Sequence, residues 1–159
     1  MKTYDALTLF KEQLERNVLG TAFKTKVVVT PTSLKEKGLV IAVSLLKSIP
    51  ENMRNGRYTT RTVRVKVAVQ GSLESLTGLE QACEAIERLD EYLSTPNLHL
   101  KEWKETDEAM GSEVSIPNTR IIQRLSVEDS FVDSPDSTEL QYADDDRIVL
   151  ITIPTGEDS

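Results

Sequence analysis

The clearest pattern along the chain is a strict alternation of side chains from Thr60 to Gly71. The apolar positions are Val63, Val65, Val67 and Val69, and the positions between them are Thr62, Arg64, Lys66 and Ala68. Successive side chains of a β-strand point to opposite sides of a sheet. The alternation therefore predicts a strand with one face in the core and one face in solvent.

An amphipathic helix is predicted immediately after Gly71. Its apolar stripe recurs at three and four residues and consists of Leu76, Leu79, Ala82, Cys83, Ile86, Leu89 and Leu93. Thr77 and Glu80 have the spacing of a capping box, although a start one turn earlier also fits, and Pro96 ends the helix. Cys83, the single cysteine, is expected to be buried in this stripe as a small hydrophobe.

One helix and two strands are predicted before the alternating strand. The helix spans residues 4–18, and its stripe consists of Tyr4, Leu7, Phe10, Leu14 and Val18. A β-branched strand is expected at residues 26–30, ending before Pro31. The run 39–49 is apolar on both faces and ends at Pro50, which favours a central strand over a buried helix of the same length.

A turn at residues 51–56 is expected to join this central strand to the alternating strand as an antiparallel hairpin. Asn55 and Gly56 carry the signal, because both tolerate the positive φ of a tight turn. After the second helix, strands are predicted at residues 98–103, 119–127 and 147–154, separated by loops at 104–118 and 128–146. The second loop is strongly acidic and is expected to be flexible.

The order of these elements predicts a single α+β domain over residues 1–159. It lacks the regular alternation of strand and helix that builds a parallel sheet, so we expect a mostly antiparallel (mixed) sheet with two helices packed on one face. A chain of this length buries roughly two thirds of its unfolded surface. Because the helices cover one face, the other face, marked by Arg64 and Lys66, is expected to be available to a partner.

Charge divides the chain into two unequal halves. Residues 1–70 contain 13 Lys or Arg and 5 Asp or Glu, a balance of +8, whereas residues 71–159 have a balance of −15, for a net charge of −7. Such asymmetry is a statement about surface fields and partners. We expect a basic set, Arg57, Arg61, Arg64 and Lys66, to meet an acidic set, Asp133, Asp136, Asp144, Asp145 and Asp146, across a subunit interface. Solvated surfaces, or pairing within one subunit, remain alternatives.

No motif for catalysis or for a cofactor is apparent. His99 is the single histidine and is expected to be structural, and no glycine loop of the phosphate-binding kind is present. The acids between residues 128 and 146 lack the spacing of a calcium loop, so we expect no metal site. We therefore expect no enzymatic activity, with a hydrolase that uses an acidic metal site as the least favoured alternative. Trp103 fits an interface or the rim of the core.

Two classes of partner are disfavoured. Basic residues surround the predicted hairpin, at Lys47, Arg54, Arg57, Arg61, Arg64 and Lys66, but the pI near 4.8 and the few interleaved aromatics argue against sequence-specific nucleic-acid binding. No apolar run approaches the roughly 18 residues that cross a bilayer, and no secretory signal is evident, so we expect no membrane association and synthesis in a cytoplasm.

The layout resembles a known family in its element order. The residues that carry the resemblance are RTVRVKVAVQGS (61–72) and the helix LTGLEQACEAIERLDEYL (76–93), preceded by an N-terminal helix and a hairpin. This arrangement is similar to the tail-terminator and tail-completion proteins of long-tailed bacteriophages and prophages. The resemblance covers most of the chain, except that the acidic segment 128–146 is longer than the compact family pattern.

The resemblance implies a non-enzymatic, structural role in virion assembly. It implies a homo-oligomeric ring, typically a homohexamer, that caps the tail tube and contacts tail-tube and head-connector proteins. The protein would then be assembled in the host cytoplasm and be located in the tail of the virion. The alternative from the residues alone is a cytoplasmic bacterial α+β binding or adaptor domain without enzymatic activity.

Overall fold

The computed structural model describes residues 1–19, 24–28, 39–72, 76–106, 109–124, 132–133 and 142–155. The helices are α1 (Thr3–Leu14), which continues into a π-helical turn (Glu15–Leu19), and α2 (Leu76–Leu93). The strands are β1 (Lys24–Val28), β2 (Leu39–Arg54), β3 (Arg57–Ser72), β4 (Lys101–Thr106), β5 (Ala109–Ser115), β6 (Arg120–Arg124), β7 (Val132–Asp133) and β8 (Tyr142–Pro154). The architecture is α+β, as predicted.

Six strands form one mixed sheet. The order is β1–β2–β3–β8–β6, and β7 pairs with the start of β8. β1 runs parallel to β2, whereas the other pairs are antiparallel. The β2–β3 hairpin turns at Asn55 and Gly56, whose φ angles of 52° and 76° are the positive values that a two-residue turn requires. The turn therefore contains two residues instead of the six predicted at 51–56, because residues 51–54 belong to β2.

Both helices pack on the same face of this sheet. The sheet contributes the buried side chains Val63, Val65, Val67, Val69, Val149, Ile151 and Ile153. The helices contribute Leu7, Phe10, Leu14, Ala82, Ala85, Leu89 and Leu93, and all of these residues belong to one buried cluster. The two helices thus cover one face, which is the arrangement that the sequence predicts.

A partly buried ion pair links α2 to the sheet. Arg147 lies opposite Val67 in the β3–β8 register, so its side chain is on the helix side. Its Nε and Nη2 donate hydrogen bonds to the two carboxylate oxygens of Asp90, at 2.7 and 2.9 Å. This two-pronged geometry defines both the position and the orientation of the guanidinium relative to the helix.

Among the stripe residues whose side chains the structure describes, which exclude Leu76 and Leu79, Tyr4 and Cys83 are exposed. Tyr4 is 70% exposed, because the buried side of α1 is centred on Phe10 and Tyr4 lies a third of a turn away from it. Cys83 is exposed rather than buried, since it lies about 100° around α2 from the buried Ala82. Val18 is buried as predicted, where the wider π-helical turn keeps it on the core side.

Strand boundaries also differ from the predictions. β2 continues through Pro50 to Arg54. Among the described strands, β1 pairs only with residues 40–44 of β2, so Pro50 lies on an edge of the sheet. Proline is tolerated there because no neighbouring strand requires a hydrogen bond from its missing N–H group. β8 begins at Tyr142 rather than Arg147, so residues 142–146 are strand and not loop. β1 begins at Lys24, and residues 29–30 and 125–127 lie outside the described ranges.

A second, two-stranded sheet is formed by β4 and β5. The segment 104–118 was expected to be a loop, but most of it is strand, and residues 98–100 precede β4 rather than belong to it. The hydrophobic pattern does not indicate these strands, because the hairpin buries neither of its faces fully. Trp103 is 48% exposed and Val114 is 38% exposed. Leu98 and Leu100 are nevertheless buried in the main core.

Candidate self-association surface

The predicted basic set is divided between the two faces of β3. Arg64 and Lys66 lie at even positions, on the face away from the helices, whereas Arg57 and Arg61 share the odd positions with the buried valines. The four residues therefore do not form one patch. Only Arg64 and Lys66 mark the face that was expected to be available.

Arg61 and Arg57 line an open cavity beside the start of α1. The Nη1 of Arg61 donates to Ser48 Oγ at 3.0 Å, and that hydroxyl is 2.9 Å from Thr3 Oγ1. Lys2, Tyr58 and Thr155 complete the wall of the cavity together with Met1. Arg61 is thus used within the subunit to join β3, β2 and α1.

The face away from the helices, which we call the outer face, can be followed row by row across four strands. One row places Lys47, Arg64, Leu150 and Ile122 side by side on β2, β3, β8 and β6. The next row toward the β2–β3 turn consists of Ile49, Thr62, Thr152 and Arg120. Charge and apolar surface are therefore interleaved on the outer face.

The accessibility of the outer face varies along its length. Ala42, Ser44 and Ala68 are buried, so the face is covered at that end. Lys47 and Arg120 are exposed, and Ile122 remains 45% exposed on β6. Ile122 and the half-buried Leu150 beside it give this part of the face an apolar surface next to the cations.

The two predicted cations of the outer face differ in their surroundings. Both side chains are half-buried. Within the part of the chain that the structure describes, the Nε–H of Arg64 is buried and has no hydrogen-bond acceptor. Lys66 already has an interaction within the chain. Glu51, at the far end of the face, accepts a hydrogen bond from the Thr62 hydroxyl at 3.0 Å, so the face is not exclusively basic.

Three members of the predicted acidic set lie beside β3. Asp144, Asp145 and Asp146 are in β8, opposite Gln70, Val69 and Ala68. The register places positions 144 and 146 on the outer face and position 145 on the helix side. Asp133 is in β7, opposite Tyr142, and Asp136 lies outside the described residues. Positions 144 and 146 thus share a face with Lys66 of the same subunit. This placement is compatible with the alternative that the basic and acidic residues pair within one subunit.

Lys47 and Arg120 also lie on the outer face, although neither belongs to the predicted set of interface residues. Lys47 reaches the Arg64 row because β2 has one extra residue at Leu46, which shifts the register between Leu45 and Lys47. Arg120 belongs to a five-residue strand, too short for its alternation to be distinctive. The sequence signal for both was their charge alone. We use the term basic sheet face for Lys47, Arg64, Lys66 and Arg120.

The residues considered as candidate ligands have other surroundings in the described parts of the chain. The ring Nδ1 of His99 is 2.7 Å from the carbonyl oxygen of Thr119, which indicates a structural histidine. Within the described ranges, no three His, Cys, Asp or Glu side chains group in a way that holds a metal ion. A membrane-spanning helix of sufficient length and apolarity is also not found among them.

Comparison with known proteins adds no identification. No protein-family model matches the chain, and a search of the curated proteins finds no match.

Proposed function

We propose that this chain is a phage or prophage tail-assembly protein, a tail terminator or a neck or completion component. It forms a homo-oligomeric ring that caps the tail tube and joins it to the head. The observation that supports the proposal most is the outer face, where Ile122 and Leu150 are interleaved with exposed cations on the side opposite to the helices. The element order of the chain, which resembles that family, supplies the assembly context.

A ring requires that one patch of a subunit meets a different patch of its neighbour. The outer face and the helix layer are such different surfaces, because both helices lie on the opposite side of the six-stranded sheet. The helix layer carries exposed acids, among them Glu84 and Glu87 on α2. Opposite charges on the two sides favour head-to-tail contacts over face-to-face contacts between two basic sheets.

The test is the oligomeric state. Native mass spectrometry is expected to show a closed oligomer of the unaltered protein, and negative-stain electron microscopy is expected to show rings with a central opening. Ile122→Glu places a charge beside Leu150 on the outer face, at the β6 edge of the sheet, and is expected to abolish the oligomer. Because Ile122 is already 45% exposed, this change leaves the monomer folded.

Met110→Glu is the matched control for this experiment. Met110 is 94% exposed on β5, outside the six-stranded sheet, so the same apolar-to-acid change is expected to leave the oligomer intact. A protein that stays monomeric at all concentrations contradicts the ring. An oligomer that Ile122→Glu does not disturb contradicts the role of the outer face.

A second candidate is a bacterial α+β binding or adaptor domain without enzymatic activity. The β4–β5 hairpin favours it, because Trp103, Met110 and Val114 are all exposed there. Exposed aromatic and methionine side chains are common at protein-binding surfaces. A stable monomer whose binding to a host protein is lost in Met110→Glu would support this candidate over the ring.

A further inference from the structure

A row of glutamates on α2 forms a concentrated negative surface. Glu80, Glu84, Glu87 and Glu91 follow one another at spacings of four, three and four, which places them in one narrow sector of the helix. All four are exposed and lie directly opposite the buried Ala82, Leu89 and Leu93. Arg88 pairs with Glu84 at 2.6 Å and offsets one of the four charges. We call these four glutamates the acidic stripe.

The acidic stripe and the basic sheet face match in length. Eleven residues of helix separate Glu80 from Glu91, about 16 Å at the helical rise. Three strand spacings separate Lys47 on β2 from Arg120 on β6, about 14 Å at the usual distance between strands. Arg64 lies beside Lys47 on β3, and Arg120 lies one row nearer the β2–β3 turn, so the cations extend across the sheet over a distance similar to the length of the stripe.

From this match we propose that the acidic stripe of one copy docks on the basic sheet face of the next copy. This contact rests on the proposed self-assembly and identifies the two surfaces that meet between neighbouring copies. The stripe is on the helix side and the basic sheet face is on the opposite side of the sheet, so one copy uses both surfaces with two different neighbours. Repetition of such a contact gives a ring when the rotation closes.

The chemistry of the two surfaces fits this contact. The glutamate carboxylates supply acceptors, and the exposed Lys47 and Arg120 of the basic sheet face supply ammonium and guanidinium donors. Hydrogen bonds between charged partners are about twice as strong as neutral ones. Ile122 and Leu150 lie between the cations and provide apolar contact to the methylene groups of the glutamates.

Two complementary charge-reversed variants test the contact. The stripe variant carries Glu80→Lys, Glu87→Lys and Glu91→Lys, and it keeps Glu84 because of its pair with Arg88. The sheet variant carries Lys47→Glu and Arg120→Glu, both at exposed positions. Glutamate and lysine have similar helix propensity, so α2 is retained in the stripe variant. Circular dichroism and cooperative thermal unfolding establish that both variants fold.

Each variant alone is expected to lose the oligomer, because it brings like charges together at every contact. An equimolar mixture is expected to regain it. In the mixture, the reversed stripe meets the reversed sheet face, and the native stripe meets the native sheet face. Native mass spectrometry then shows assemblies with equal numbers of the two chains, which the mass difference between the variants identifies.

The outcomes separate this proposal from the proposed function. A monomeric wild-type protein overturns both. If the wild type and the stripe variant assemble while the sheet variant does not, the self-assembly stands and the stripe is excluded. Two monomeric variants that fail to associate when mixed also overturn the stripe contact. The matched control reverses Glu102 and Glu105 to Lys on β4, outside both surfaces, and is expected to assemble like the wild type.

Cys83 provides a second readout without any substitution. It is exposed on α2 beside Glu80 and Glu87 and is the single thiol of the chain. If the stripe is covered in the assembly, a maleimide reagent reacts with Cys83 more slowly as the assembled fraction rises with protein concentration. A reaction rate that is equal in the monomer and the oligomer overturns the proposed contact.

Discussion

At the scale of single residues, Gln13 makes the most connections between separate parts of the molecule. It is fully buried on α1. Its Nε2 donates to Tyr92 Oη at 2.7 Å and to the carbonyl oxygen of His99 at 3.0 Å, and its Oε1 accepts from the Lys101 N–H at 2.8 Å. Burial raises the pKa of Tyr92, and the bond from Gln13 opposes this shift. One amide thus satisfies polar groups of α2 and of the segment that enters β4.

Gln13→Leu is expected to lower the free energy of unfolding by about 2–4 kcal/mol, because it leaves a buried N–H and a buried carbonyl group without partners. Urea unfolding followed by circular dichroism measures the change, with an unchanged slope against urea concentration. Tyr92→Phe is the control. It removes one of the three hydrogen bonds, at a half-buried phenol, and is expected to cost about 1 kcal/mol. Equal losses in the two variants contradict the role assigned to Gln13.

At the scale of elements, the β4–β5 hairpin depends on a glycine. A Cβ atom at Gly111 would overlap the indole ring of Trp103, so the ring packs directly on the glycine backbone. The guanidinium carbon of Arg16 lies 5.8 Å from the centre of the same ring, and its Nε donates to Glu113 at 2.8 Å. Trp103 is therefore held between β5 and the π-helical turn.

Gly111→Ala is expected to push the Trp103 ring outward and to separate it from Arg16. Trp103 is the single tryptophan, so its fluorescence emission reports this movement directly and is expected to shift to the red. The expected loss of stability is about 1–3 kcal/mol, the usual cost of overpacking. Ser112→Ala, at the neighbouring exposed position, is the control and is expected to leave the emission unchanged. An unchanged emission in Gly111→Ala argues against the packing described.

Hydrophobic periodicity predicted the elements that bury one face and failed for those that do not. The valines of β3 and the stripe of α2 were readable because burial imposes their spacing. The strand β5 was not, because its side chains are largely exposed and no burial selects its pattern. The start of β8 was missed for a related reason: Asp144–Asp146 have low strand propensity, and pairing with β3 overrides it.

The composition of the outer face was only partly predictable. Alternation assigned Arg64 and Lys66 correctly, but Arg57 and Arg61 follow the opposite parity and lie on the helix side. Lys47 reaches the outer face through the extra residue at Leu46, and nothing in a single sequence indicates that bulge. The prediction that acids of segment 128–146 meet the basic set in a neighbouring subunit remains a prediction.

At the scale of the whole molecule, the charge division along the chain is not a division in space. The basic strand β3 and the acidic start of β8 are adjacent in the sheet, so much of the asymmetry lies within one pair of strands. The separation that remains is between the two layers: cations on the open side of the sheet, and glutamates on the outer side of α2. Among the described residues, this separation, rather than the totals of the two halves, places exposed cations and exposed glutamates on different layers.

The response of the oligomer to salt is expected to depend on both the charged and the apolar side chains of the outer face. Between 0.1 M and 1 M sodium chloride the Debye length falls from about 10 Å to about 3 Å, so contacts between exposed charges weaken and the oligomer dissociates. Sodium sulfate at the same ionic strength screens similarly but strengthens the burial of apolar groups. Because Ile122 and Leu150 lie between the cations, more oligomer is expected in sulfate than in chloride.

Light scattering at matched ionic strengths measures the two salt series, and Met110→Glu is the control that retains both surfaces. A purely electrostatic contact predicts the same dissociation in both salts, whereas a purely apolar contact predicts assembly that chloride does not weaken. The interleaved rows of the outer face predict the intermediate behaviour, with dissociation in chloride and partial retention in sulfate. Salt is expected to weaken the contacts between charged side chains first, because screening acts on exposed charges. The oligomer that remains at high salt is then expected to depend on the burial of the apolar groups between them.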